Sequence, residues 1–114
     1  MRSTKEAFLL ILALFATSFM AIGQDFQVTG IITDSDNNDP ISFAAVAIIE
    51  AETNEVITGI SSDVEGKFNL SSKTDKIKLQ VSFIGYLDKT VDPPEAVGNK
   101  IDFGTILLEP SALG

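Results

Sequence analysis

In the run Lys76-Ile77-Lys78-Leu79-Gln80-Val81-Ser82-Phe83, apolar and polar residues alternate without a break. A period of two sends Ile77, Leu79, Val81 and Phe83 to one face and Lys78, Gln80 and Ser82 to the other. That is the pattern of a half-buried strand, not of a helix. Lys67-Phe68-Asn69-Leu70 repeats it briefly, and so does Lys100-Ile101-Asp102-Phe103. Gly104 then interrupts the alternation before Ile106 and Leu108 resume it, which predicts a bulge in the last strand. Further strands are predicted at 26–33, 44–50, 56–61 and 87–91.

Turn chemistry separates these runs. Asp34-Ser35-Asp36-Asn37-Asn38-Asp39-Pro40 consists of residues that bond their own backbone or fix φ. Glu52-Thr53-Asn54-Glu55 closes a hairpin, and Asp63-Val64-Glu65-Gly66 ends on a residue that tolerates positive φ. Asp92-Pro93-Pro94 and Gly98-Asn99 bracket the last long connection. Seven short strands at this spacing predict an all-β sandwich or barrel. No helical period and no internal repeat appears after residue 23.

Residues 1–23 carry the three parts of a secretory leader. Arg2 and Lys5 make a positive start, and the apolar run from Ala7 to Ala16 follows. Ala21-Ile22-Gly23 places small residues where a signal peptidase reads, so the mature chain is expected to begin at Gln24. The stretch from Ala7 to Ile22 is interrupted by Thr17-Ser18, short of the ~20 apolar residues that a spanning helix needs. The expected organisation is a signal peptide, 1–23, and one β-sandwich domain, 24–114.

The 114 residues include 16 acids, eight bases, one Tyr and no His, Cys or Trp. Removing Arg2, Lys5 and Glu6 with the leader leaves six bases and fifteen acids, a net charge of −9. Such a surface is repelled by phosphate backbones and anionic lipid, so nucleic-acid binding is not expected. Without Cys there is no disulfide to staple the fold and no lipid-anchored terminus. Without His and Cys the usual zinc ligands are missing, and no cofactor is expected.

Four segments, in this order, resemble the carboxypeptidase regulatory-like domain of transthyretin-like fold. They are Gly30-Ile31-Ile32-Thr33-Asp34, Pro40-Ile41-Ser42-Phe43-Ala44-Ala45-Val46, Asp63-Val64-Glu65-Gly66-Lys67-Phe68-Asn69-Leu70 and Val81-Ser82-Phe83-Ile84-Gly85-Tyr86. The resemblance covers about Phe26 to Glu109. It implies a seven-stranded antiparallel Ig-like/transthyretin-like sandwich with no catalytic site of its own. The structural motif residues are Gly30, Asp34, Pro40, Ala44, Val46, Asp63, Gly66, Phe68, Leu70, Ser82, Gly85 and Tyr86. On their own chemistry, Gly66 suits a left-handed turn, and Phe68 and Leu70 project into the core. Tyr86 suits a strand end, where its ring covers the core edge and its hydroxyl reaches a backbone group; the alternative is a ligand contact by Tyr86.

Directly behind a signal peptide, this version looks most like the N-terminal extension of TonB-dependent outer-membrane receptors. In those proteins the domain sits in the periplasm ahead of a plug and a barrel. The 91 residues left when 23 of the 114 are removed cannot form a receptor barrel, which needs many strands of about ten residues. The expectation is therefore the first part of a longer receptor or a free-standing relative, with the membrane reached only through a barrel not in this chain. The expected partner is a periplasmic protein, such as the receptor plug, the energising complex or an assembly factor.

Other chemistry finds little support. Asp34-x-Asp36-x-Asn38 has the first ligand spacings of a calcium loop, but Asp39, Pro40 and Ala45 stand at its sixth, seventh and twelfth positions. A complete loop has Gly at the sixth and Glu at the twelfth. Without His there is no Ser-His pair, and no Gly-x-Ser-x-Gly elbow occurs. An enzyme is not expected. A secreted glycan- or peptide-binding module is the alternative, but one Tyr and no Trp supply a poor stacking platform. A structural spacer is the third reading.

Overall fold

The computed structural model describes residues 25–112; the leader assigned to 1–23 lies outside them. Seven strands form: β1 (Phe26–Asp34), β2 (Ala45–Glu50), β3 (Val56–Ser61), β4 (Lys67–Ser72), β5 (Ile77–Ser82), β6 (Lys89–Val91) and β7 (Lys100–Leu108). They make two sheets, one ordered β4-β1-β7 and the other β3-β2-β5-β6. The pairings are antiparallel except that of β1 with β7, which is parallel. The five strands between them in sequence run through both sheets, supplying the crossover that a parallel pair requires.

The alternation does its expected work. Ile77, Leu79 and Val81 of β5 are buried, as are Phe68 and Leu70 of β4. They meet Val28, Ile32, Val46, Ile48, Ile101, Ile106 and Leu108 in one core, with no disulfide involved. Each such side chain contributes roughly 1.5–3 kcal/mol when fully buried. Phe83 lies just beyond β5 and packs against the rim of this core.

The predicted bulge is present. Thr29 pairs with Asp102 and Ile31 with Thr105, so β7 holds one more residue than β1 across this interval. Gly104 takes φ +64° there, and its N–H donates to Asp102 Oδ1 at 2.9 Å. Strand limits shift elsewhere. The expected strand at 87–91 is shortened to β6, because the N–H of Leu87 donates to Glu109 O at 2.9 Å instead of joining the ladder. Likewise β2 begins at Ala45, since the N–H of Ala44 donates to the Ser62 hydroxyl.

Gly30 faces Phe68 directly across the β1–β4 ladder. A Cβ at residue 30 would lie 2.5 Å from the tip of the Phe68 ring and 3.2 Å from Gly104 O. The glycine is therefore the seat of the buried ring. Truncating Phe68 to Ala should cost about 3–5 kcal/mol in urea melts, and Gly30→Ala about 1–3 kcal/mol by overpacking. In the double variant the added methyl no longer meets the ring, so the two costs should sum to more than the measured loss. Strict additivity would show that ring and glycine do not form one packing unit.

Candidate functional site

Asp34 ends β1, and its backbone begins the 34–40 loop. Its N–H donates to Asp39 O and its own carbonyl accepts from Asn38 N–H, both at 2.8 Å. Carboxylate Oδ1 accepts from the N–H of Asp36 at 2.7 Å and of Asn37 at 3.3 Å. The other oxygen, Oδ2, accepts from the Tyr86 hydroxyl at 2.6 Å. Tyr86 thus reaches a side-chain carboxylate, not the backbone group its position predicts. The reason is topological: β1 and the turn after β5 end at the same pole of the sandwich.

This link perturbs both groups. The Tyr86 hydrogen bond, aided by the Asp36 and Asn37 amides, holds the Asp34 carboxyl below its ordinary range against the opposing effect of desolvation. Tyr86 is pushed up by the same hydrogen bond, then by desolvation and the negative charges of Asp34, Asp36 and Asp39. The segment after β7 docks here too. Tyr86 bridges to Pro110, Glu109 O accepts from Leu87 N–H, and the N–H of Ser111 donates to Gly85 O at 2.9 Å. Gly85 takes φ +89°, the left-handed region that only glycine adopts without strain.

A second group of motif residues lies around the β3–β4 turn. Asp63 Oδ1 accepts from Glu65 N–H at 2.8 Å and Lys67 N–H at 2.9 Å. Gly66 takes φ +79°, and a Cβ on it would lie 2.5 Å from Ile32 O and 3.3 Å from Pro40 Cβ. This joins the Pro40 segment to the Asp63 segment. Ala44 and Val46 are buried, and Ser82 pairs with Ala45 at the end of β5. The motif residues therefore form two braces and a core, and of the twelve only Gly30, Asp63 and Phe68 border one hollow, on the β4-β1-β7 sheet.

Two features escape the sequence patterns. Ser62 is buried, its hydroxyl donating to Ile41 O at 2.8 Å and accepting from Ala44 N–H at 2.9 Å. It holds the backbone around Phe43, whose φ of 62° is an uncommon conformation for a bulky residue. Nothing in the pattern marks a serine beside Ser61 as interior. Phe43, Phe83 and Ile84 also border an open hollow of about 430 Å³, although Phe43 and Ile84 stand at positions the motifs leave unspecified.

Another open hollow, of about 510 Å³, lies on the β4-β1-β7 sheet between Thr29, Asn69, Asp102 and Thr105. Its acids are engaged locally: Asp102 accepts from Thr29 Oγ1 and Gly104 N–H, and Asp63 from its own turn. Among the described residues no three acids are placed to hold a metal ion.

The CarboxypepD_reg-like domain family matches residues 28–112. A search of curated proteins found no match. The fold is similar to the pilus 2b backbone protein of group B streptococcus, with TM-score 0.54 and 12% identity over 79% of this chain and 43% of that one. It is also similar to 3-chlorocatechol 1,2-dioxygenase from Rhodococcus opacus 1CP, with TM-score 0.55 and 11% identity over 78% and 60% of the two chains. The C-terminal domain of shaft pilin SpaA from Lactobacillus rhamnosus GG gives TM-score 0.51 and 15% identity, covering 78% of this chain and 100% of that domain. The chain thus spans less than two thirds of the pilus backbone protein and of the dioxygenase. At these identities the likeness shows the fold alone.

Two measurements test the braces. Tyr86 is the only tyrosine and there is no Trp, so tyrosinate absorbance reports this group alone. Its midpoint should lie above the ordinary value of about 10 and fall toward it in Asp34→Asn; a wild-type midpoint at or below that value contradicts the link. The lowered Asp34 contributes stability that is present above its unfolded value, about 3.9, and is lost as pH falls through the folded value. The raised Tyr86 contributes stability that is full below about 10 and is lost as pH rises through the folded value. Separately, Ser62→Ala leaves buried Ala44 N–H and Ile41 O unpaired and should cost about 1–3 kcal/mol in denaturant melts.

Proposed function

Because the chain belongs to the CarboxypepD_reg-like domain family, we propose that it is a non-catalytic accessory domain that works by contact with protein. Its setting is the periplasm, as the N-terminal part of a TonB-dependent outer-membrane receptor or a free-standing relative. Export with cleavage before Gln24 belongs to the same reading. The observation that carries it is how the polar motif residues are used. Asp34, Asp63 and Tyr86 are all engaged in shaping loops, which leaves none of them as a free nucleophile or base. The glycan-binding alternative loses its one tyrosine to Asp34.

The net charge of −9 that six bases and fifteen acids leave beyond the leader favours a basic partner, such as an energising protein or a receptor plug segment. Charge of this kind acts mainly on the association rate and weakens as salt rises. The test is deletion of residues 26–109 from the full-length receptor with plug and barrel intact. Ligand binding should persist while energised uptake or a downstream signal falls. If assembly, uptake and signalling are all unchanged, the domain is a spacer and the proposal fails.

A further inference from the structure

The two sheets end in four edge strands, and three of them are guarded. β4 carries Lys67, paired to Glu65 at 3.1 Å. β6 is only three residues long, contains Lys89 and runs on toward Pro93 and Pro94. β7 carries Lys100, Asp102 and the Gly104 bulge, and Lys89 Nζ donates to its Leu107 carbonyl at 2.9 Å. Charges, shortness and bulges of this kind are what keep edges from pairing with other chains.

β3 differs. Its sequence, Val-Ile-Thr-Gly-Ile-Ser, has no charge, and every residue but Thr58 is exposed. It pairs only with β2, so its outer side has no strand partner among the described residues. Val56, Ile57 and Ile60 are 65%, 46% and 43% exposed. Ile60 pairs with buried Val46 and so shares its inward parity, yet the three-stranded sheet fails to cover it. Ile57 is bulged out of the ladder with β2, which confines the regular, uncharged edge to 58–61. Exposed acids frame the strand: Glu52 and Glu55 at one end and Asp63 at the other, where Glu65 is paired to Lys67.

We propose that β3 is the docking edge, and that it accepts an extended segment of another protein with β-branched residues at its centre and Lys or Arg at both ends. Main-chain hydrogen bonds would extend the β3-β2-β5-β6 sheet by one strand, with side-chain alternation supplying selectivity. The framing acids decide the occupant. In an antiparallel pairing of two copies, Glu52 and Glu55 of one would meet Asp63 of the other, and like charges would oppose the pair. A basic-ended strand meets complementary charge at both ends. This deepens the reading above by naming the surface, and rests on it only for the premise that the domain works by protein contact.

The test titrates the purified protein with a short peptide of alternating Val and Thr and a Lys at each end, following backbone amides by NMR and hydrogen exchange. Saturable shifts and added protection should centre on Thr58, Gly59, Ile60 and Ser61. Replacing the terminal Lys by Glu, or a central Val by Pro, should weaken binding by about tenfold or more, through charge in the first case and a lost donor in the second. Ile60→Lys should do the same without changing the melting temperature of a half-exposed position. Shifts centred on β4, β6 or β7, or no saturable shift, would overturn the proposal. So would concentration-dependent self-association of the protein alone that Ile60→Lys abolishes, since the occupant would then be a second copy. Binding at β3 combined with an unaffected deletion strain would keep this surface and remove the receptor role.

Discussion

The hydrogen bond from Tyr86 to Asp34 joins two parts of the molecule that share no ladder. Asp34 terminates β1 in the three-stranded sheet, while Tyr86 follows β5 in the four-stranded one. Through Asp34 the bond orders the 34–40 loop, and through Tyr86 it orders the turn against which Glu109, Pro110 and Ser111 are laid. The ends of β1 and β5, inner strands of the two sheets, are thereby held together at one pole. The other brace, Gly66 beneath Ile32 and Pro40, fixes the start of β4. With both in place, Phe68 has one seat, over Gly30. Asp34, Asp63 and Tyr86 are thus each engaged in building the domain.

Much of this was legible in the sequence because a two-residue period reports burial directly. Ile77, Leu79, Val81, Phe68 and Leu70 are interior for the reason their alternation states, and Gly104 breaks the pattern where β7 bulges. The turn glycine at residue 66 was equally readable. What could not be read are relations between residues far apart in the chain. Tyr86 and Asp34 are 52 residues apart, and no local pattern says that a tyrosine hydroxyl will find that carboxylate. Ser62 looks like any strand-end serine until the Ile41 and Ala44 backbone closes over it. The start of the sixth strand shifted for a similar reason, since the backbone of Leu87 is claimed by Glu109.

Unequal sheet widths also leave a mark that composition hides. Four strands over three cannot cover every inward-facing residue, and Ile60 is the inward side chain left half in water. Its β-branched neighbours read as ordinary strand formers, so the sequence marks β3 as a strand without marking it as an edge. Edge or centre is decided by sheet order, a property of the whole fold.

The parallel pairing of β1 with β7 sets how this domain would carry force. Because the first and last strands run side by side in the same direction, Phe26 and Leu108 lie at opposite poles. A nine-residue strand separates them by about 30 Å. Tension applied at these two points pulls β1 and β7 past each other along their length. The ladder is then loaded in shear, with its hydrogen bonds strained together, whereas a hairpin pulled from its open end gives way one pair at a time. When the pull is instead taken up beyond Ser111, the contacts of Glu109 and Pro110 with Leu87 and Tyr86 are loaded ahead of that ladder and yield before it.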